Sequence, residues 1–166
     1  METQKGKSHI DLNFRSDAMC ASSIRTLVTN YFTPMFTDPD VVERIALAAH
    51  ELAENATLYT CDENSRIRIE LQRDGENGLI RISTWNRADA KDMVALRQFF
   101  DEMRTFPDPF TFYQVLLRRT AKRNDGSGLG LARIEAEADM TVNYVEPEEN
   151  VLCIEAHVAV PIQVCA

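Results

Sequence analysis

Two short segments of this chain carry residue types that could bind and act on a phosphate group. The first is the run 126–131, in which three glycines alternate with small or apolar residues directly before an apparently helical stretch. Glycine lets a backbone approach a ligand closely, and a helix N-terminus presents free N–H groups and the positive end of the helix dipole. The residues of this predicted phosphate cradle are Gly126, Ser127, Gly128, Leu129, Gly130 and Leu131.

The second segment is a predicted helix that places Glu51 and Asn55 one turn apart on the same face. Neither residue fits the apolar stripe of that helix. Magnesium prefers hard oxygen ligands, so the side-chain carbonyl of Asn55 is a candidate Mg²⁺ ligand. Glu51 is the candidate catalytic residue, because its carboxylate could orient or deprotonate an attacking hydroxyl or water. The alternative is that both belong to an ordinary solvated helix face.

Alternation and capping signals predict the elements that must position these segments. The predicted strands cover residues 9–14, 66–73, 78–85, 140–145 and 151–160, with the first strand at a sheet edge. The predicted helices cover residues 17–31, 39–59, 92–103 and 110–120, and a last helix follows the glycine turn. Ser16 and Asp38 are the predicted N-caps of the first two helices. Two hairpins among these strands predict an α+β fold, a two-layer α/β sandwich whose mixed, mostly antiparallel sheet has helices on one face.

Composition narrows the possible classes of function. The chain has 166 residues, which suits one domain over 1–166, and it is 45% hydrophobic with a net charge of −8. That charge argues against a nucleic-acid or anionic-membrane surface, although a local amide nest and a metal could still bind ATP. No apolar run reaches membrane-spanning length and no secretory signal is visible. The four cysteines form no C-x-x-C pair. We therefore expect a cytoplasmic protein that binds neither membranes nor nucleic acids.

In combination, the two segments resemble the motifs of the GHKL (histidine kinase-like) ATPase superfamily, whose members share the Bergerat nucleotide-binding fold. Residues 51–56 (ELAENA) look like its N box, and residues 126–132 (GSGLGLA) look like its G2 box. Residues 159–161 (AVP) are similar to the strand end that closes many kinase ATPase domains. The resemblance covers residues 11–161 and implies ATP and Mg²⁺ as ligands.

The superfamily also has a G1 box, D-x-G-x-G, where this chain reads NRADA at 86–90. The resemblance implies adenine contacts at Asn86 and Ala88. Asn86 stands where the family has an aspartate that accepts a hydrogen bond from the adenine amino group, and asparagine lacks the negative charge of that aspartate. Alanine in place of glycine adds a methyl group where the base would lie. This departure puts adenine affinity in question. In the alternative interpretation Asn86 is a turn residue at the end of a strand.

Among the members of the superfamily, the chain most resembles single-domain anti-sigma-type serine kinases, and especially the bacterial SiaB-type branch with its long helical lid. Such proteins phosphorylate or bind small STAS-domain partners in partner-switching circuits, and the superfamily often forms homodimers. Residues 91–124 occupy the position of the lid and are rich in aromatics. These aromatics either fill the space under the lid or form an exposed partner patch. The nearby basic residues Arg118, Arg119, Lys122 and Arg123 either face solvent or reach the phosphates.

The resemblance leaves three functions open. The first is a protein serine/threonine kinase that phosphorylates a STAS-type anti-sigma-factor antagonist. The second is a nucleotide-degenerate, non-catalytic module that binds and sequesters a partner. The third is ATP hydrolysis that drives a conformational switch.

Overall fold

A five-stranded sheet forms one layer of the protein, and the computed structural model describes residues 6–123 and 128–162. The strands are β1 (Lys7–Arg15), β2 (Asn64–Asp74), β3 (Asn77–Arg87), β4 (Thr141–Glu148) and β5 (Val151–Pro161). Their order is β1-β2-β3-β5-β4, and every neighbouring pair is antiparallel. The predicted α+β fold, the edge position of β1 and both hairpins are confirmed. The sheet is antiparallel at all of these pairings, where the sequence had left room for a mixed one.

Among the described residues, five helices accompany the sheet. They are α1 (Ala18–Phe32), α2 (Pro39–Leu58), α3 (Ala90–Met103), α4 (Pro109–Arg123) and α5 (Leu129–Glu137), with a short 3₁₀ turn at Thr33–Met35. Asp38 caps α2 by accepting the Asp40 N–H, as predicted. The prediction for α1 was wrong by one residue. Asp17 is the N-cap there and accepts the Met19 N–H, whereas the Ser16 hydroxyl bonds to Ser65 on β2.

The helices cover one face of the sheet because each strand alternates apolar and polar residues. Ile67, Ile69 and Ile82 are fully buried beneath α2, whose Ile45 and Leu52 belong to the same core. The intervening residues of the strands carry charged side chains that pair across the other face. Arg66 and Arg68 contact Asp11, for example, and Lys7 contacts Glu70.

The predicted lid segment forms α3 and α4, which pack against α5 through a second, smaller apolar cluster. Phe112, Tyr113 and Leu116 of α4 are buried there with Ala132 of α5. Phe100 of α3 is buried in the main core. The space-filling interpretation of the lid aromatics is thus confirmed for these rings, whereas Phe110 is 56% exposed. The two lid helices are therefore packed against the rest of the protein, beside the glycine turn.

Candidate functional site

The two segments singled out from the sequence meet at one small cavity. Asn55 from α2 lines this cavity opposite Gly128 and Leu131, which lie at the start of α5. The remaining wall comes largely from the lid helix α3. The cavity has a volume of about 80 Å³, and its surface is mostly apolar. The helix with the candidate metal ligand and the candidate phosphate turn are therefore neighbours in space.

Glu51 lies directly over the glycine turn. Its residue is only 8% exposed, and its Oε1 accepts a hydrogen bond from Nη1 of Arg133 on α5 at 3.0 Å. A Cβ atom placed on Gly130 would lie 2.6 Å from Glu51 Oε2. The absence of a side chain at Gly130 is what gives the carboxylate room to approach the backbone. Glu51 thus contacts the N-terminal turn of α5 and does not belong to a solvated face.

Gly128 adopts the left-handed conformation, with φ of 78°, at the N-cap of α5. L residues with a side chain adopt this region at a cost, so the turn favours glycine here. The ring of Phe99 from α3 packs on the same glycine, because a Cβ there would lie 2.9 Å from two of its ring carbons. Leu129 begins α5 and packs against the α4 cluster. Gly126 and Ser127, the first residues of the predicted cradle, lie outside the described residues.

Asn55 is the predicted metal ligand, and it lines the cavity. It is half-buried, and within the described ranges its side-chain amide makes no hydrogen bond. Asp92, in the first turn of α3, lines the same cavity. A carboxamide oxygen and a carboxylate are the hard donors that Mg²⁺ accepts alongside water and substrate phosphates. The donor chemistry therefore fits a magnesium ion, although among the described residues no cluster of three or more His, Cys, Asp or Glu side chains could hold a metal by itself.

The G1-like segment is placed differently from the N-box-like and G2-like segments. Asn86 is buried, and its Nδ2 donates a hydrogen bond to the backbone carbonyl of Tyr59 at 3.1 Å. Ala88 is fully buried, and its N–H donates to the carbonyl of Asn150 at 3.0 Å. Neither residue lines the cavity beside Asn55. The polar groups of this segment tie the end of β3 to the end of α2 and to the β4–β5 turn.

A hydrogen-bonded chain extends from Glu51 to the lid. Arg133 donates through Nε to Glu137 Oε2 at 2.8 Å, and the Tyr113 hydroxyl of α4 donates to Glu137 Oε1 at 2.8 Å. Burial and the hydrogen bond to Glu137 raise the pKa of Tyr113. Burial opposes ionisation of Glu137, but the bonds from Arg133 and Tyr113 outweigh it and hold the pKa of Glu137 below its usual range. The phenol therefore stays a donor and the carboxylate an acceptor at neutral pH.

The sequence did not reveal the roles of Asp92, Phe99 and Arg133. Asp92 follows the N-cap Asp89 in a pattern that marks only a helix start. Arg133 and Glu137 are four apart, a spacing that signals an ordinary surface ion pair. Of the predicted basic cluster, Arg119 pairs with Glu102 on α3 and Lys122 is exposed, while the Arg123 side chain lies outside the description.

The cavity is much smaller than a nucleotide. Ligand sites for small molecules occupy roughly 300–1,000 Å³. Leu96 and Phe99 of α3 line the cavity with Asn55 and Gly128, and Arg97 holds α3 to Glu146 on β4 through two hydrogen bonds of 2.8 and 2.7 Å. In this conformation the lid helix forms much of the cavity wall and keeps the cavity small. A nucleotide would need α3 to move outward.

Comparison with known proteins supports the architecture. In three dimensions the chain is similar to a chain of the SiaB–SiaC complex from Pseudomonas aeruginosa, with a TM-score of 0.60 and 14% sequence identity. The match covers 91% of this chain and 89% of that chain. At this identity the likeness shows a shared fold. No protein-family model matches the sequence, and no curated protein matches it in sequence.

The described helices were also compared with the dimensions of a membrane-spanning helix. Across residues 6–123 and 128–162, no helix has both the length and the apolar character that crossing a bilayer requires.

Proposed function

We propose that this protein is a partner-switching signalling regulator that binds Mg–ATP in the cleft between α2 and the glycine turn and phosphorylates a serine or threonine of a STAS-type partner. The observation that carries the proposal is that the start of α5 contacts both α2 residues: Gly128 lines the cavity with Asn55, and Gly130 lies against Glu51. The shared fold with a chain of the SiaB–SiaC complex supports the partner-binding half, because that neighbour was solved as an assembly of two proteins. The proposed setting is the cytoplasm.

Each residue has a defined task in this proposal. Asn55, with Asp92 nearby, would hold Mg²⁺, which neutralises charge on the phosphates. The backbone of the turn would cradle the phosphates. The partner's hydroxyl oxygen forms a bond to the γ-phosphorus while the bond from that phosphorus to the bridging oxygen of ADP breaks. The Glu51 carboxylate orients the partner's hydroxyl before the transfer and takes up its proton during it.

Nucleotide binding is tested by thermal melting with and without Mg–ATP. Ligand at about 100 times its dissociation constant adds roughly 2.7 kcal/mol, which corresponds to a rise of about 5–10 °C for a chain of this size. Asn55→Ala should abolish that rise. The matched control is Asn30→Ala, because Asn30 is an exposed asparagine on α1 and should leave the rise intact.

Catalysis is tested by the transfer of labelled phosphate from ATP to a STAS-domain protein. Glu51→Gln should slow transfer by about 100-fold or more, the range expected for the loss of a general base. Glu54→Gln is the control, because Glu54 lies on the same helix but is exposed. Undiminished transfer by the Glu51 variant would contradict the proposed role of this carboxylate.

A second candidate is the nucleotide-degenerate module that binds its partner without chemistry. The engagement of Asn86 by Tyr59 and of Ala88 by Asn150 favours it, because the segment that would contact adenine already serves to hold the fold together. The same melt separates the two candidates. If millimolar Mg–ATP causes no rise while the partner still binds, the module is correct and the kinase is not.

A further inference from the structure

The Glu51 carboxylate is connected to the lid through a continuous chain of three hydrogen bonds. Tyr113 on α4 bonds to Glu137, Glu137 bonds to Arg133, and Arg133 bonds to Glu51, with distances of 2.8, 2.8 and 3.0 Å. The chain joins three helices, α4, α5 and α2. Its far end is the carboxylate whose second oxygen lies against Gly130.

One guanidinium serves two carboxylates in this chain. Arg133 uses Nε for Glu137 and Nη1 for Glu51. The other oxygen of Glu137 is occupied by the Tyr113 hydroxyl. Because Arg133 and Glu137 are four apart on α5, the planar guanidinium could otherwise rotate to face both oxygens of Glu137 in a bidentate pair. The Tyr113 hydroxyl occupies one of those oxygens, so the guanidinium keeps the orientation in which Nη1 reaches Glu51.

We propose that Arg133 is a positioning residue through which the docking of α4 sets the orientation of the Glu51 carboxylate. With α4 docked, Arg133 holds Glu51 against Gly130. When α4 leaves, Tyr113 departs with it, Arg133 pairs fully with Glu137, and Glu51 is released. This inference rests on the proposed phosphoryl transfer for its functional meaning, but the linkage itself can be measured without any activity.

The activity-independent test is a double-variant cycle in thermal melting between Tyr113→Phe and Glu51→Gln. Tyr113→Phe removes the hydroxyl at one end of the chain and Glu51→Gln removes the charge at the other, so the second change should cost less than it does alone. The double variant is expected to melt at least about 2 °C above the value that additivity gives. The same cycle in an Arg133→Gln background should be additive. The control cycle pairs Tyr113→Phe with Glu54→Gln and should be additive within about 1 °C.

The functional test measures phosphate transfer to a STAS-domain protein. Arg133→Gln should lower kcat by about tenfold or more while the KM for ATP changes by less than about threefold, because Arg133 acts on Glu51 and not on the nucleotide. Arg133→Lys should recover part of kcat, since it restores the charge without the rigid planar fork that spans both carboxylates. Arg81→Gln, at an exposed arginine of β3, is the matched control and should behave as the unaltered protein.

The two tests fail separately. If Tyr113 and Glu51 are additive, or if their coupling persists without Arg133, the linkage is refuted whatever the activity. If the coupling is present and depends on Arg133 but no phosphate is transferred, the linkage holds and the kinase proposal falls. If transfer occurs and Arg133→Gln leaves kcat unchanged, Arg133 has no positioning role.

Discussion

Replacing Gly128 with alanine gives a quantitative test of how the lid meets the glycine turn. At φ of 78°, a residue with a Cβ pays roughly 1–2 kcal/mol for the left-handed conformation. The new methyl group would also lie 2.9 Å from two carbons of the Phe99 ring. Overpacking of this kind costs typically 1–3 kcal/mol. The two terms together predict a loss of about 2–5 kcal/mol of unfolding free energy.

The two terms can be separated by a second variant. At about 2–4 °C per kcal/mol for a chain of this length, Gly128→Ala should lower the melting temperature by roughly 4–20 °C. In a Phe99→Ala background only the backbone term remains, so the same change should cost about 1–2 kcal/mol. Urea unfolding of the four proteins measures these differences at one temperature.

Either of two results would refute this reasoning. Equal costs of Gly128→Ala in the two backgrounds would show that the Phe99 ring does not rest on the turn. A cost below about 0.5 kcal/mol in the unaltered background would show that the residue is not left-handed. The first result would also remove the evidence that α3 packs against the start of α5.

Three further predictions concern charge and reactivity. The Arg66 hydrogen bond holds the pKa of Asp11 below its usual range, so the stability that this pair adds is fully present at neutral pH and is lost as pH falls below about 4. Asp11→Asn should therefore weaken the dependence of the unfolding free energy on pH in that acidic range. Burial raises the pKa of Cys153 to about 12, so a thiol reagent should modify the exposed Cys61 well before it. Burial also raises the pKa of Glu135, because a buried carboxylate loses its hydration; Glu135→Gln removes the charge, keeps a side-chain oxygen that accepts from the Val142 N–H, and should not lower the melting temperature.

The sequence was informative wherever the physical signal is local. Period-two alternation predicted both hairpins and the buried face of the sheet, because a strand with one face in solvent alternates apolar and polar residues. Asp38 before Pro39 defined the start of α2 because it supplies the acceptor that a helix N-terminus lacks. The same logic favoured Ser16 for α1, but nothing local distinguishes it from Asp17, and the Ser65 hydroxyl of β2 holds Ser16 instead.

In the candidate site, too, the local features could be predicted from the sequence and the long-range contacts could not. Helical periodicity was enough to place Glu51 and Asn55 on one face, and glycine content was enough to mark the turn. The sequence could not show which of these side chains would form hydrogen bonds within the fold, because their partners are distant along the chain. Arg133 is 82 residues from Glu51. Asn86 donates to the carbonyl of Tyr59, a contact that depends on where α2 ends above β3.

The sequence thus predicted most of the elements and their order, and it supplied candidate residues for a phosphate and a metal site. The tertiary structure alone decided that α3 lies across the cleft, with Phe99 against Gly128, and that Arg133 holds Glu51. The physical reason is that propensity and periodicity act over one or two turns of chain. The space between two helices, in contrast, is filled by whichever side chains close packing brings from elsewhere.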